Sequence, residues 1–141
     1  MAYDFAGSWS PQAGHHAQLY AGESDEPSGS AAVDYLISTG FPSQKIVLGV
    51  PVYGRSFLGA HGPRYPFNGA GGEEGTFEYK YLPRDGTEEI VNTRVCAAFC
   101  TGGDGGFVTY DNPETVKMKG NYCRDKGLGV STFTGKLHPG N

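Results

Sequence analysis

Ile46 to Val52 is a nearly unbroken aliphatic run, and it constrains this chain more than any other stretch. A strand with one wet face alternates apolar and polar residues, so a run this uniform predicts a parallel strand covered on both faces, by helices. Pro51 has no N–H to give to a ladder, so the chain leaves the sheet there. Tyr53 and Arg55 follow at once. In parallel α/β sheets and barrels, ligands bind at the carboxyl ends of strands, which makes these two side chains candidates for a site. The plain alternative is a surface cation packed on an aromatic ring, a common contact.

The chain has 141 residues, close to the size of one ordinary domain. Its net charge of -4 and its lack of a long basic run argue against a nucleic-acid partner. No apolar stretch reaches membrane-spanning length, so no membrane is expected as a partner, and the start carries no n-region or h-region of a signal peptide. Aromatic residues make up 13% and there are 23 glycines, which suits a loop-rich chain that contacts something flat and polar. Cys96, Cys100 and Cys123 are odd in number and form no CxxC pair, so they make neither a closed disulfide set nor a zinc site. At most one bridge is expected, with Cys96 and Cys100 facing each other on one helical turn. His15, His16, His61 and His138 lack ligand spacing and read as loop residues, so no metal and no organic cofactor is expected.

Taken in order, Met1 to Phe5 reads as a short strand with Met1, Tyr3 and Phe5 on one side and Asp4 on the other. Gly7 to Gly29 is a long polar loop, and loops of that length are usually functional or disordered. Ser30 is a good N-cap, Val33, Leu36 and Ile37 form an apolar stripe, and Gly40 suits a left-handed end, which predicts a helix over Ala31 to Thr39. Strand, helix and aliphatic strand together make a βαβ unit. From about Gly59 to Gly106 glycine-rich turns and short aromatic segments take over, none resembling a fully buried strand, so this stretch reads as an α+β excursion outside the main sheet. Phe107 to Tyr110 is a closing strand. Asn112 caps a helix with Pro113 at its first position, an inner face of Val116, the Lys119 stem, Tyr122 and Cys123, and Gly127 at its end. Leu128 to Phe133 is a last strand, and Thr134 to Asn141 is expected to fray.

Three motifs, in this order and spacing, resemble glycoside hydrolase family 18, the chitinases: Met1-Ala2-Tyr3-Asp4-Phe5-x-Gly7-Ser8-Trp9, Lys45-Ile46-Val47-Leu48-Gly49-Val50-Pro51-x-Tyr53-Gly54-Arg55, and Lys126-Gly127-Leu128-Gly129. The resemblance covers nearly the whole chain. It implies an α/β fold, an incomplete (β/α)8 TIM barrel carrying strands six to eight, with a small α+β subdomain inserted after strand seven. The implied division is a barrel portion over 1–58, the insertion over 59–106, and a second barrel portion over 107–141. It also implies action outside the cell on β-1,4-linked N-acetylglucosamine polymers, by substrate-assisted retaining catalysis in which the sugar's own acetamide oxygen attacks the anomeric carbon.

Carried over by position, Tyr3 donates its hydroxyl to that acetamide, Asp4 hydrogen-bonds within the subsite and Met1 lines its floor. Trp9 stacks on a sugar ring on the leaving-group side, while Tyr53 and Arg55 hold the substrate across the cleavage point. A positioned hydroxyl and flat aromatic faces suit these roles. Read without the family, Tyr3 and Phe5 are inner packing, Trp9 a loop anchor and Asp4 a turn-stabilising side chain.

Two departures qualify the implication. The family's general acid lies in a D-x-x-D-x-D-x-E run that does not occur in this chain, and losing a general acid typically costs about 10² to 10⁴ in rate. Where the family's last strand reaches a tryptophan, this chain has Thr134, with Phe133 the nearest aromatic. The expectation is therefore a part of a chitinase, inactive alone, whose partners are chitin oligomers and the amino-terminal barrel half. Two alternatives stand beside it: a chitin-binding module without hydrolysis, and a small secreted interaction protein stapled by its cysteines.

Overall fold

The structure, a computed structural model, describes residues 1–134, the last five of them by their backbone. In chain order its elements are α1 (Gly29–Ser38), β1 (Val47–Pro51), β2 (Tyr53–Phe57), β3 (Thr76–Glu78), β4 (Ile90–Asn92), β5 (Ala97–Gly103), β6 (Gly106–Tyr110), α2 (Pro113–Asp125) and β7 (Val130–Thr134). The architecture is α/β. Strand β1 pairs in parallel with β7, from Val47 opposite Val130 to Pro51 opposite Thr134. The aliphatic run is thus the parallel strand its composition predicts, and it ends at Pro51. Leu48 and Val50 are buried, whereas Val47 is 45% exposed.

Beyond Val52 the chain enters β2 directly, in a separate antiparallel sheet of order β3-β2-β6-β5-β4. Tyr53 and Arg55 therefore lie on a strand of their own. This sheet draws residues from outside the expected 59–106 span at both ends, and its one helical turn among the described residues is the 3-10 turn Tyr79–Tyr81. Phe57 and Phe107 pack with Ala6, Ala13 and Ala60 on one face, while Val108, Tyr110, Ala98 and Cys100 pack on the other. Adjacent residues of β6 enter opposite clusters because a strand alternates its side chains. Between β6 and β4, the first half of β5 is covered on both faces: Ala97, Ala98 and Cys100 are all buried, contrary to the expectation of no buried strand there.

Residues 1–5 are not a strand, and the βαβ unit lacks its first member. Asp4 takes φ +61°, a left-handed conformation that interrupts any extended run. The amide of Phe5 ends on the His16 carbonyl at 3.0 Å, not on a ladder. Helix α1 starts two residues before the predicted point because Ser28, not Ser30, caps it, its Oγ accepting from Ala31 N at 3.2 Å. The buried face is Gly29, Val33 and part of Leu36, and Ile37 is on the exposed side. Gly40 is left-handed at φ +92°, as the helix end requires.

Helix α2 follows its sequence closely. The Asn112 side chain accepts from Thr115 N and the Thr115 hydroxyl accepts from Asn112 N, each at 2.9 Å, with Pro113 in the first turn. Lys119 departs from expectation: its ammonium is buried with its stem. The cysteines do not staple anything. All three are free and buried; Cys100 lies in β5 and Cys96 just before it, and residues four apart along an extended run are separated by roughly 13 Å. A bridge tolerates at most about 7 Å. Of the tail expected to fray, Thr134 instead ends β7 opposite Pro51, and the rest, His138 included, lies outside the described residues.

Candidate functional site

Strand alternation puts Tyr53 and Arg55 on one face of β2, and both side chains end on one carboxylate. Tyr53 Oη donates to Asp4 Oδ1 at 2.7 Å and Arg55 Nε donates to the same oxygen at 2.7 Å. Asp4 Oδ2 takes no hydrogen bond among the described residues, and the side chain is 37% exposed. Tyr3 joins the group edge to face with Tyr53, ring centroids 6.3 Å apart. Its hydroxyl has no hydrogen-bond partner among the described residues. The Arg55 guanidinium lies 4.6 Å from the centre of the Trp9 ring, nearer than the 5.8 Å to Tyr53. Trp9 is 60% exposed and folds back over Gly7, where any side chain would collide with its ring. Met1 is almost wholly exposed. Five of the six sequence candidates, Tyr3, Asp4, Trp9, Tyr53 and Arg55, are thus linked by direct contacts, and Met1 stands beside them against Gly49 of β1.

One member of the cluster escaped the sequence reading. His16 is fully buried, with its ring 5.3 Å from that of Tyr53. Its Nδ1 accepts the Asp4 N–H at 3.2 Å and its Nε2 lies 3.3 Å from the Tyr53 carbonyl. Those two partners require a lone pair at Nδ1 and a proton at Nε2, the neutral imidazole. Burial also pushes its pKa down, against the pull of Asp4. No sequence signal marks it: Ala13, His15, Ala17 and Leu19 alternate within the loop, which would set His16 on the opposite face. All four are buried.

Behind His16 lies a second buried polar group. Lys119 Nζ donates to Asp111 Oδ2 at 2.7 Å and to the Ala17 carbonyl at 2.6 Å, and the Thr115 hydroxyl donates to Asp111 Oδ1 at 2.7 Å. The neighbouring His15 places Nδ1 2.9 Å from Thr109 Oγ1 between the Phe99 and Phe107 rings, and its Nε2 is buried with no partner among the described residues. Burial first, then the neighbouring His16 ring and Arg64, push the His15 pKa down to about 4.

These contacts set the charge of the site. Because the His16 Nδ1 lone pair is turned to the Asp4 amide, the Arg55 and Tyr53 donors at 2.7 Å are what hold the Asp4 carboxyl well below the usual carboxylate range, against its partial burial. Burial, then the hydrogen bond to Asp4, raises the Tyr53 hydroxyl far above its ordinary value. At neutral pH the cluster holds one ionised carboxylate acceptor balanced by the Arg55 guanidinium, flanked by aromatic surfaces and one free phenol donor. That combination fits an uncharged ligand with hydroxyl and amide groups on an apolar ring face. A separate groove between α1 and α2, lined by Tyr20, Asp34, Tyr122 and Lys126 among others, shares no residue with it.

The family model for glycosyl hydrolases family 18 matches residues 1–133. An endochitinase 1 of Metarhizium robertsii is 39% identical over 141 residues, and a chitinase 1 of Aphanocladium album is 38% identical over 144. Each match covers 94% of this chain and 33% of the relative, so the chain spans about a third of the length of the curated relatives it matches. Among solved structures, a mutant family 18 chitinase from Cycas revoluta in complex with (GlcNAc)4 superposes with a TM-score of 0.85 at 33% identity. That match covers 94% of this chain and 40% of the other.

Proposed function

Because the chain belongs to glycosyl hydrolase family 18, we propose that its cluster is the part of a chitin-hydrolysing site that grips N-acetylglucosamine, and that the proton donor is supplied by sequence beyond these 141 residues. The observation that carries this is the Asp4 carboxylate, held ionised by Tyr53 and Arg55 with its other oxygen left without a hydrogen bond among the described residues, and with the Tyr3 ring packed against that of Tyr53. In this reading Tyr3 donates to the acetamide oxygen that attacks the anomeric carbon, and Asp4 accepts from the acetamide N–H or a ring hydroxyl. Trp9 offers its exposed indole to a pyranose face, and Met1 forms an apolar floor. Tyr53 and Arg55 serve mainly by fixing Asp4, which takes up the phenol proton and Nε. The reaction is retaining and substrate-assisted, and this chain's residues supply orientation.

The same proposal covers the architecture. Parallel neighbours β1 and β7 stand as strands seven and eight of a (β/α)8 barrel, residues 1–5 take the place of strand six, and the five-stranded sheet is the insertion, spanning 53–110. Gly49 supports this arrangement, since a side chain there would press within 3.0 Å of the Tyr3 ring. Hydrogen exchange in which β1 and β2–β6 open as one unit would sink that division. An extracellular setting for the whole protein follows from the same resemblance and is checked by fractionating medium from cells.

Calorimetric titration of the purified chain with chitin tetramer tests the central claim. Binding without cleavage is expected, and Asp4→Ala abolishes it. A flat titration of the unmodified chain rejects sugar gripping, and cleavage above a blank rejects the absent proton donor.

A further inference from the structure

One residue answers for the shape of the Asp4 turn. Asp4 sits at φ +61°, a conformation that costs an L-residue energy unless its surroundings hold it. Its own N–H goes to His16 Nδ1 at 3.2 Å, and the next N–H, that of Phe5, goes to the His16 carbonyl at 3.0 Å. Two successive amides thus converge on one histidine. From the opposite side of the ring, Nε2 reaches the Tyr53 carbonyl at 3.3 Å, on the strand that carries the two donors to Asp4. His16 is itself anchored, because the Lys119 ammonium holds the carbonyl of the following residue, Ala17, at 2.6 Å.

We propose that His16 is the positioning residue of the site: as the neutral Nε2–H tautomer it holds the left-handed Asp4 turn by accepting at Nδ1 and ties that turn to β2 by donating to the Tyr53 carbonyl. Asp4 Oδ1 lies only 3.6 Å from Nδ1, and because the lone pair at Nδ1 is already committed to the Asp4 N–H, that oxygen is left to Tyr53 and Arg55. The imidazole acts as a rigid spacer between two backbones that have no ladder in common. The charged groups facing it are Asp4 and Arg55 from the cluster, Asp111 from the start of α2 and His15 beside it. The effect on ligand rests on the sugar-binding reading above, while the tautomer does not.

Two measurements decide it. Long-range proton–nitrogen spectra of the labelled chain at neutral pH are expected to show His16 with Nδ1 bare and Nε2 protonated. A protonated Nδ1, whether in the other tautomer or in the imidazolium, overturns the proposal. The second is tetramer affinity in two variants. His16→Leu keeps the volume but leaves the Asp4 N–H and the Tyr53 carbonyl unpaired, and should weaken binding at least about tenfold. His16→Asn places an amide oxygen near the Nδ1 position and should recover most of that loss. Equal affinity in both variants, at whatever level, overturns the proposal. If the unmodified chain binds no tetramer, the sugar reading fails and the tautomer spectrum still decides the positioning role. The same spectrum decides it if His16→Leu fails to fold.

Discussion

The five-stranded sheet and the opening loop, residues 1–28, deliver side chains to one cluster, yet they hold them by different means. Strand β2 presents Tyr53 and Arg55 through a repeating ladder to β3 and β6, with Arg55 opposite both Thr76 and Thr109. The loop has no ladder. Its place is set by a few backbone bonds, of Ala13 with Arg64 and Tyr65 and of Leu19 and Tyr20 to Val95, and by buried side-chain contacts that cross long stretches of sequence: His15 to Thr109, His16 to Tyr53 and Lys119 to Ala17. A ladder shares the loss of one bond among its neighbours. An isolated buried contact cannot, since each partner left behind is a desolvated polar group.

The contrast can be broken most sharply at Lys119. Changing Lys119→Ala leaves the Asp111 carboxylate buried without its cation, which typically costs about 3–5 kcal/mol in a urea melt. The amides of residues 13–19 should also lose exchange protection before those of β5 and β6. A cost under about 1 kcal/mol would mean that the loop is held by apolar packing instead. Phe107→Ala should cost a comparable amount, about 3–5 kcal/mol, as a cavity in the sheet, with protection lost first across β2, β5 and β6. Identical exchange patterns for the two variants would erase the distinction.

Acid offers a milder lever on the loop. His15 is held neutral with a pKa pushed down to about 4, against about 6.5 in an unfolded chain. Between those values the unfolded chain takes up a proton that the folded chain refuses. Stability contributed above pH 6.5 is therefore lost as pH falls through this window, by about 3 kcal/mol in all, and the loss is complete below about pH 4. His15→Phe should flatten that limb of a Tm-against-pH scan, and an unchanged slope would assign the acid sensitivity elsewhere. Smaller again is Ser28→Ala, which removes the α1 cap at the loop's end and should cost about 1 kcal/mol. At the bottom of the scale, Lys126→Ala breaks an exposed pair with Asp34 and should change stability by less than about 1 kcal/mol, setting the baseline for surface polar contacts.

What could be read ahead of the structure follows the same divide. The parallel strand, its stop at Pro51, both helices and the Asn112 cap are local patterns, and each was legible from neighbours within a few residues. The supposed strand over Met1 to Phe5 was not, because alternation of side chains does not reveal that Asp4 turns left-handed to meet a histidine twelve positions away. Tyr53 and Arg55 stood out by following the aliphatic strand's carboxyl end and Tyr3, Asp4 and Trp9 through a family motif, and their mutual contacts came only with the fold. Lys119 was read as a snorkelling stem, since amphipathic spacing places it on the inner face but cannot supply the Asp111 partner that lets its charge be buried.

By itself, then, the sequence determined the helices and the aliphatic strand, because periodicity, capping and proline act through the chain's own short-range geometry. The tertiary structure alone decided that β2 leaves the parallel pair for a second sheet, that the cysteines stay unbridged, and that His16 and Lys119 help pin a loop without secondary structure. Those outcomes depend on which buried donors find acceptors across gaps of 37 to 102 residues, and no local pattern encodes such pairings.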